Sequence, residues 1–125
     1  MDKLITFAVP CYNSAAYMEH CVDTLLQGGS DIEIILVDDG STKDDTPAIC
    51  DRYQEQYPDI VRAIHQPNGG HGEGVNQGIR NARGIYYKVV DSDDWLDEHA
   101  MAEIMVYLRR QAELPHPTAL VIGNY

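Results

Sequence analysis

The densest cluster of chemically capable side chains is Asp91-Ser92-Asp93-Asp94, directly after the apolar run Tyr86-Tyr87-Lys88-Val89-Val90. Three carboxylates within four residues repel one another and cost free energy when left unpaired at a strand end. A divalent cation relieves that repulsion. Hard oxygen ligands suit Mg or Mn, and such ions commonly bridge one or two carboxylates to a substrate's phosphates. If strand geometry persists past Val90, alternation points Asp91 and Asp93 the same way, where they can share a cation, while Asp94 faces elsewhere. The plainer alternative is a solvated turn that caps the last helix. The cluster favours a metal-dependent site that handles phosphate esters.

Three further loops carry polar clusters, and each also follows an apolar run. Pro10-Cys11-Tyr12-Asn13 offers Tyr12 either as a ring on the rim of the core or as a stacking platform for a base, beside backbone that a ligand can approach. Asp38-Asp39-Gly40-Ser41-Thr42 reads as a turn, or as a site where one Asp accepts hydrogen bonds from a nucleobase or a ribose hydroxyl. No G-x-G-x-x-G follows the first strand, which argues against a nicotinamide or flavin cofactor. Asn68-Gly69-Gly70-His71-Gly72-Glu73-Gly74 has four glycines in seven residues. Such a loop entering a helix offers free amides to an anion, and His71 could touch a phosphate or a metal or simply be solvated. The Walker pattern is absent. Trp95 reads as a packing anchor in preference to the wall of a sugar pocket. Lys88 reads as a strand-end lysine reaching solvent or as a cation beside a phosphate. His20, Arg80, Arg83, His99 and the Arg109-Arg110 pair read as solvated faces.

These loops need elements to position them. Residues 4–9 form an apolar first strand ended by Pro10. Met18, Cys21, Val22, Leu25 and Leu26 make a helical stripe, with Asn13 or Ser14 as its cap and Gly28-Gly29 as its end. Ile34-Ile35-Leu36-Val37 is continuously apolar, as in a strand covered on both faces. Asp44 or Asp45 caps a second helix with Pro47 in its first turn. Residues 61–65 are a weaker strand, 73–82 a short helix, 85–90 a fourth strand, 98–112 a last helix and 119–122 a fifth strand. This alternation predicts an α/β chain: a doubly wound, mostly parallel, Rossmann-like sheet with helices on both faces. Ligands of such sheets bind outside the carboxyl ends of the strands, so all four loops should share one edge.

At 125 residues the chain is one domain, and 44% hydrophobic with 23% charged residues is ordinary for a globular protein. Twenty acidic against nine basic residues, net −11, argue against nucleic acid and against anionic lipid as partners. No apolar run approaches the roughly 20 residues that span a bilayer. Cys11, Cys21 and Cys50 lack metal-ligand spacing and read as reduced packing thiols of a cytoplasmic protein.

With the four loops in order, the chain resembles the N-terminal, nucleotide-sugar-binding part of a family-2 glycosyltransferase with the GT-A fold. The matching pieces are Val9-Pro10-Cys11-Tyr12-Asn13, then Ile35-Leu36-Val37-Asp38-Asp39-Gly40-Ser41-Thr42. Asn68-Gly69-Gly70 with Asn76-Gln77-Gly78-Ile79 follow, and Val90-Asp91-Ser92-Asp93-Asp94-Trp95-Leu96 closes the set, which spans about residues 4 to 112. The resemblance implies a nucleotide-sugar donor, commonly a uridine diphosphate (UDP) sugar, with hexosyl transfer. Tyr12 would stack on the base and Asp39 would hydrogen-bond it, with Pro10, Asn68 and Gly70 completing the nucleotide site. Asp91 and Asp93 would form the D-x-D pair, Asp93 holding Mn or Mg against the diphosphate and Asp91 near the ribose or the metal. The metal's charge would stabilise the leaving nucleoside diphosphate, and in-line attack by an acceptor hydroxyl would invert the anomeric centre.

Two departures from the family pattern stand out. Gly74-Val75-Asn76 replaces the common Ala-Arg-Asn, so an expected cation is missing, with Lys88, His71 or Arg80 as candidate substitutes. The family's catalytic base and acceptor elements lie beyond the D-x-D region. The base is therefore expected past Tyr125, with Asp94 as an outside candidate. Residues 1–125 are then one nucleotide-sugar-binding domain, truncated before the acceptor-binding part and inactive in transfer on its own. The acceptor, a glycan, lipid or protein, is not specified, and the longer enzyme could work at the inner face of the membrane. The alternative is a non-catalytic nucleotide-sugar binding module. A nucleotidyltransferase would need a basic triphosphate loop, and residues 10–13 contain no Lys or Arg.

Overall fold

Among the described residues five parallel strands make one sheet, in the spatial order Val61–Gln66, Ile32–Asp39, Lys3–Cys11, Gly84–Val89 and Val121–Ile122. The computed structural model describes residues 3–41, 43–67, 76–78, 80–93, 95, 98–112 and 121–122. Its elements are β1 (Lys3–Cys11), α1 (Met18–Leu26), a single 3₁₀ turn (Gly29–Asp31), β2 (Ile32–Asp39), α2 (Thr46–Gln56), β3 (Val61–Gln66), β4 (Gly84–Val89), α3 (Glu98–Ala112) and β5 (Val121–Ile122). Residues 76–78 and 80–81 are also helical.

The core follows from strand alternation. Ile5, Phe7, Val9 and Cys11 of β1 share one cluster with Met18, Cys21, Val22 and Leu25 of α1. Ile49, Cys50 and Tyr53 of α2 and Met101, Met105 and Leu108 of α3 complete it. On the opposite face the helical residue Gly78 lies against Ala8 and Tyr87, so closely that a Cβ there would sit 2.5 Å from the Tyr87 hydroxyl. Helices thus cover both faces, as the α/β alternation requires. The three cysteines form no disulfide and are buried.

Several boundaries differ from the sequence expectation, each for a physical reason. β1 does not stop at Pro10 but runs through it to Cys11. The Val90 amide donates to the Ala8 carbonyl at 2.9 Å, so Ala8 faces β4, and so does Pro10 two residues on. β4 ends at Val89, so the missing proline N–H deprives no ladder. Neither Asn13 nor Ser14 caps α1 with its side chain: Tyr17 holds the N-cap without a side-chain bond, and the Ser14 carbonyl instead accepts from Tyr17 N and Met18 N. At α2, Asp44 rather than Asp45 takes the Thr46 amide.

β2 is longer than its apolar centre because its polar residues find partners. Glu33 is fully buried. Its Oε1 accepts from the Thr6 hydroxyl at 2.9 Å and from the Arg83 amide at 2.9 Å, and its Oε2 accepts from Arg83 Nε at 2.6 Å. Arg62 Nε stands 3.3 Å from the same oxygen as an ion-pair partner without hydrogen-bond alignment. Arg62 also donates to the Asn81 carbonyl, and Thr6 Oγ1 accepts from the Gly84 amide. A Cβ on Gly84 would lie 2.5 Å from the Thr6 amide, so only glycine lets the two strands approach here. Arg83 is therefore not a merely solvated residue: it neutralises a buried carboxylate at the amino end of the sheet.

Removing one partner of a buried ion pair strands the others, which costs more than the pair contributes. Glu33→Ala should lower stability by roughly 3 kcal/mol, read from urea unfolding, with an unchanged denaturant slope. A loss below about 1 kcal/mol would show that water replaces the carboxylate without penalty.

Candidate functional site

Parallel strands put all their carboxyl ends on one crest. The register pairs Cys11 with Asp38, Asp39 with Gln66 and Ala8 with Val89. Residues 12–14, 38–41, 66–67 and 90–93 therefore come together there. The glycine-rich loop with Asn68, Gly70 and His71 lies outside the described residues, as do Thr42 and Asp94.

Short hydroxyl side chains tie the loops together. Ser14 is buried, its Oγ accepts from the Tyr12 amide at 3.0 Å, and it lies 2.8 Å from the hydroxyl of buried Ser92. The Ser14 amide donates to Thr46 Oγ1 at 2.7 Å. Next door, the Asn13 amide donates to Ser41 Oγ at 2.9 Å, and Asn13 Oδ1 accepts from the Lys43 amide. Asn13 adopts φ +48°, a left-handed conformation that Asn tolerates better than most residues. Sequence reasoning passed over Ser14, Ser41, Thr46 and Ser92 as sites. The available signal was that Ser41 and Ser92 lie inside motifs and Ser14 directly follows one, while Thr46 carries none.

The two aspartates at the end of β2 are both buried but differently engaged. Asp38 Oδ1 accepts from the Ser41 amide at 3.0 Å, closing a turn in which Gly40 takes φ +71°. Asp38 Oδ2 lies 2.7 Å from His65 Nδ1, and His65 Nε2 lies 2.7 Å from Asp51 Oδ1. Asp39 Oδ1 accepts from Gln66 Nε2 at 2.8 Å, while Gln66 Oε1 is buried with no hydrogen-bond partner. The sequence places His65 at the end of the third strand and Gln66 in the loop after it, with a role for neither; the strand in fact runs through Gln66. Tyr12 is 47% exposed and lies outside the buried core cluster.

The D-x-D segment departs from the alternation argument. β4 stops at Val89 and residues 92–93 form a turn, so strand geometry does not aim Asp91 and Asp93. Asp91 is half-buried, Ser92 buried and Asp93 exposed. Cys21 Sγ donates to the Asp91 carbonyl across 3.6 Å. Among the described residues no group of three or more His, Cys, Asp or Glu could cage a metal ion. Two hard carboxylates at an open crest still fit Mg or Mn, which are commonly held by one or two carboxylates plus substrate phosphates.

Lys88 is not a strand-end lysine reaching water: it is 3% exposed, in register with Phe7 inside the sheet. Trp95 is not a packing anchor: it is 58% exposed, edge-on to His20 with ring centroids 4.8 Å apart. A hydrogen bond to Cys50 and then burial push the Cys11 thiol well above its ordinary pKa. Cys11 is thus a protonated packing group rather than a nucleophile.

A parallel sheet with the polar segments 12–14, 38–41 and 90–93 on its carboxyl crest places this chain among the open α/β proteins. Residues 6–121 match the family described as glycosyl transferase family 2, and the chain belongs to that family. It is 41% identical over 127 residues to the glycosyltransferase GlyG of Streptococcus pneumoniae, covering 100% of this chain and 40% of GlyG. The chain thus spans about two fifths of that relative's length. Among solved structures, S. aureus TarS 1-349 in complex with UDP-GlcNAc superposes with a TM-score of 0.74 at 24% identity, over 87% of this chain and 32% of that one. The mannosyltransferase PcManGT of Pyrobaculum calidifontis, in complex with GDP-Man and Mn2+, gives 0.70 at 24% identity, over 84% and 32%. The fold is thus the GT-A type that the motifs led one to expect.

His65 gives the crest a pH dependence. Hydrogen bonds to Asp38 and then Asp51 raise its pKa, against a smaller opposing effect of burial. A raised folded-state pKa means that the stabilisation is fully present below the unfolded value of about 6.5 and is lost as pH rises through the folded value. Urea midpoints should therefore fall across that window in the wild type, and His65→Gln should remove this part of the slope. An unchanged slope in the variant would assign the pH dependence to other groups.

Proposed function

We propose that this chain is the donor-binding part of a metal-dependent glycosyltransferase that takes a nucleoside-diphosphate sugar, with a UDP sugar as the preferred class. The observation that carries the reading is the meeting of Tyr12, Asp39 and Asp91–Asp93 on one crest, with Ser14 and Ser92 joined between them. Membership of glycosyl transferase family 2 supports the reaction class. The UDP-GlcNAc held by TarS supports a uridine donor. The GDP-Man and Mn2+ held by PcManGT support a divalent ion at the diphosphate, and both donors carry hexosyl groups.

In this reading the exposed Tyr12 ring stacks on the base beside the Pro10 backbone. Asp39, oriented by Gln66, accepts a hydrogen bond from the base N–H. Asn68 and Gly70, outside the described residues, are assigned to nucleotide binding as well. Asp91 reaches the ribose or the ion, and exposed Asp93 binds Mn or Mg. That ion supplies Lewis-acid stabilisation of the departing diphosphate. The acceptor hydroxyl attacks in line and the anomeric centre inverts. None of these carboxylates is left over as a general base, which must come within hydrogen-bond reach of the acceptor hydroxyl. We assign that base to sequence downstream of this segment in a longer enzyme, with Asp94 as the outside candidate. Transfer by residues 1–125 alone is then negligible. The proposed setting is the cytoplasm or the inner face of the membrane. No described helix is long and apolar enough to cross a bilayer.

Titration calorimetry with UDP tests the reading. Binding should require Mn or Mg, and Asp93→Asn should weaken it at least about tenfold while leaving the fold intact. Tyr12→Ala should cost about 1–3 kcal/mol, the range for losing one base stack. Metal-independent binding unchanged in Asp93→Asn would refute the role of Asp93. Binding of guanosine diphosphate in preference to UDP would refute only the base. A longer chain that binds donor yet transfers to no acceptor would favour the non-catalytic module.

A further inference from the structure

A chain of contacts begins at His65, outside the residues assigned above, and ends in the loop that carries Tyr12. His65 stands near the end of β3, opposite Asp38 in the β2–β3 register. Both ring nitrogens lie 2.7 Å from a carboxylate oxygen, Nδ1 from Asp38 and Nε2 from Asp51 of α2. A carboxylate only accepts hydrogen bonds, and a neutral imidazole has one donor nitrogen and one acceptor nitrogen. Two carboxylates at these distances therefore call for the imidazolium, in which both nitrogens donate. In the neutral ring one lone pair would face a carboxylate, and one contact would open. The Asp51 side chain is 63% exposed and can turn to water, whereas Asp38 is buried and also holds the Ser41 amide.

Loss of the charge is felt at the base side of the crest. Asp38 closes the turn that follows Asp39, through the Ser41 amide. Ser41 in turn accepts from the Asn13 amide, one residue past Tyr12. The turn that sits between the two base-contacting residues thus hangs on a buried carboxylate whose counter-charge is His65.

We propose that His65 is a positioning residue for the base pocket: its imidazolium, clasped between Asp38 and Asp51, holds the Asp38–Ser41 turn against Asn13 and sets the gap between Asp39 and Tyr12. The inference rests on the donor-site reading above. β2 and α2 are the elements packed most closely on β3, and the charged groups they present to the ring are Asp38 and Asp51. Both favour the protonated ring, and the raised pKa of His65 follows from them in that order. When the ring loses its proton the turn loosens, and affinity for the base falls. The effect belongs to the pocket, not to the metal pair.

Uridine is the suitable probe, because it has no ionising phosphate and needs no metal. Its affinity, measured by calorimetry or chemical-shift titration from about pH 5.5 to about pH 8.5, should fall roughly fivefold as His65 titrates. His65→Gln should bind at the weaker level throughout. Asp51→Asn, a change at an exposed side chain, should move the wild-type profile to lower pH, since one of the two carboxylates that favour the charged ring is gone. The His65 Cε1 proton reports the same event directly, and saturating uridine should raise the pKa it reads, by reciprocity of linkage. A flat wild-type profile, or the same profile in His65→Gln and Asp51→Asn, overturns the clasp and leaves the donor site standing. Failure of both uridine and UDP with Mn to bind at any pH overturns the donor site, and the clasp with it.

Discussion

The hydrogen bond between the buried hydroxyls of Ser14 and Ser92 is the contact on which the crest depends. Where parallel strands stop, their last backbone groups lose ladder partners and must be satisfied by loops. Ser14 does this for three segments at once: it takes the Tyr12 amide, gives its own amide to Thr46, and meets Ser92 inside the D-x-D turn. Neither serine offers much bulk, so the loops of β1 and β4 approach closely. A larger residue at either position would separate the two halves of the proposed donor site. The middle residue of the D-x-D segment is thus structural, with the acidic residues on either side turned to other tasks.

The two ends of the sheet solve the same problem with opposite consequences. At the amino end Glu33 is buried and fully met by Thr6, Arg83 and Arg62. That end is electrostatically closed. At the carboxyl crest, Asp93 is exposed, and the net charge of the chain is −11. A nucleoside diphosphate approaching this surface meets like charge, a repulsion that salt weakens between exposed groups but does not reverse. In the proposed reading, a divalent ion held by Asp93 would change the sign of that interaction. The proposed metal would then matter for binding before it matters for chemistry.

The sequence exposed the strands and helix stripes because apolar periodicity is local. Ile34 to Val37 and the stripe from Met101 to Leu108 read directly. The ends of β2 did not, because whether Glu33, Asp38 or Asp39 stays inside a strand depends on Thr6, Arg83, His65 and Gln66, which are distant in sequence. The same reason hid His65: a histidine in a strand gives no sign of the two carboxylates it will meet. The motif loops were legible as a set, since parallel strands force them to one edge. The aim of Asp91 and Asp93 was not, because it rested on strand geometry continuing past Val89, where the chain turns instead. Trp95 was misjudged by residue type alone, and for Lys88 residue type left two readings open. The large aromatic lies exposed against His20, and the lysine lies inside the sheet.

The central claim is that nucleotide and metal meet on the carboxyl crest, between the loops joined by Ser14 and Ser92. Paramagnetic Mn added with UDP to isotope-labelled protein tests it most directly, because line broadening falls off steeply with distance from the ion. Broadening should centre on the amides of residues 91–93, with diamagnetic Mg–UDP shifts at Tyr12, Asn13, Asp39 and Gln66. Broadening centred instead on Asp44 and Asp45 or on Asp51, with residues 91–93 left sharp, would contradict the account.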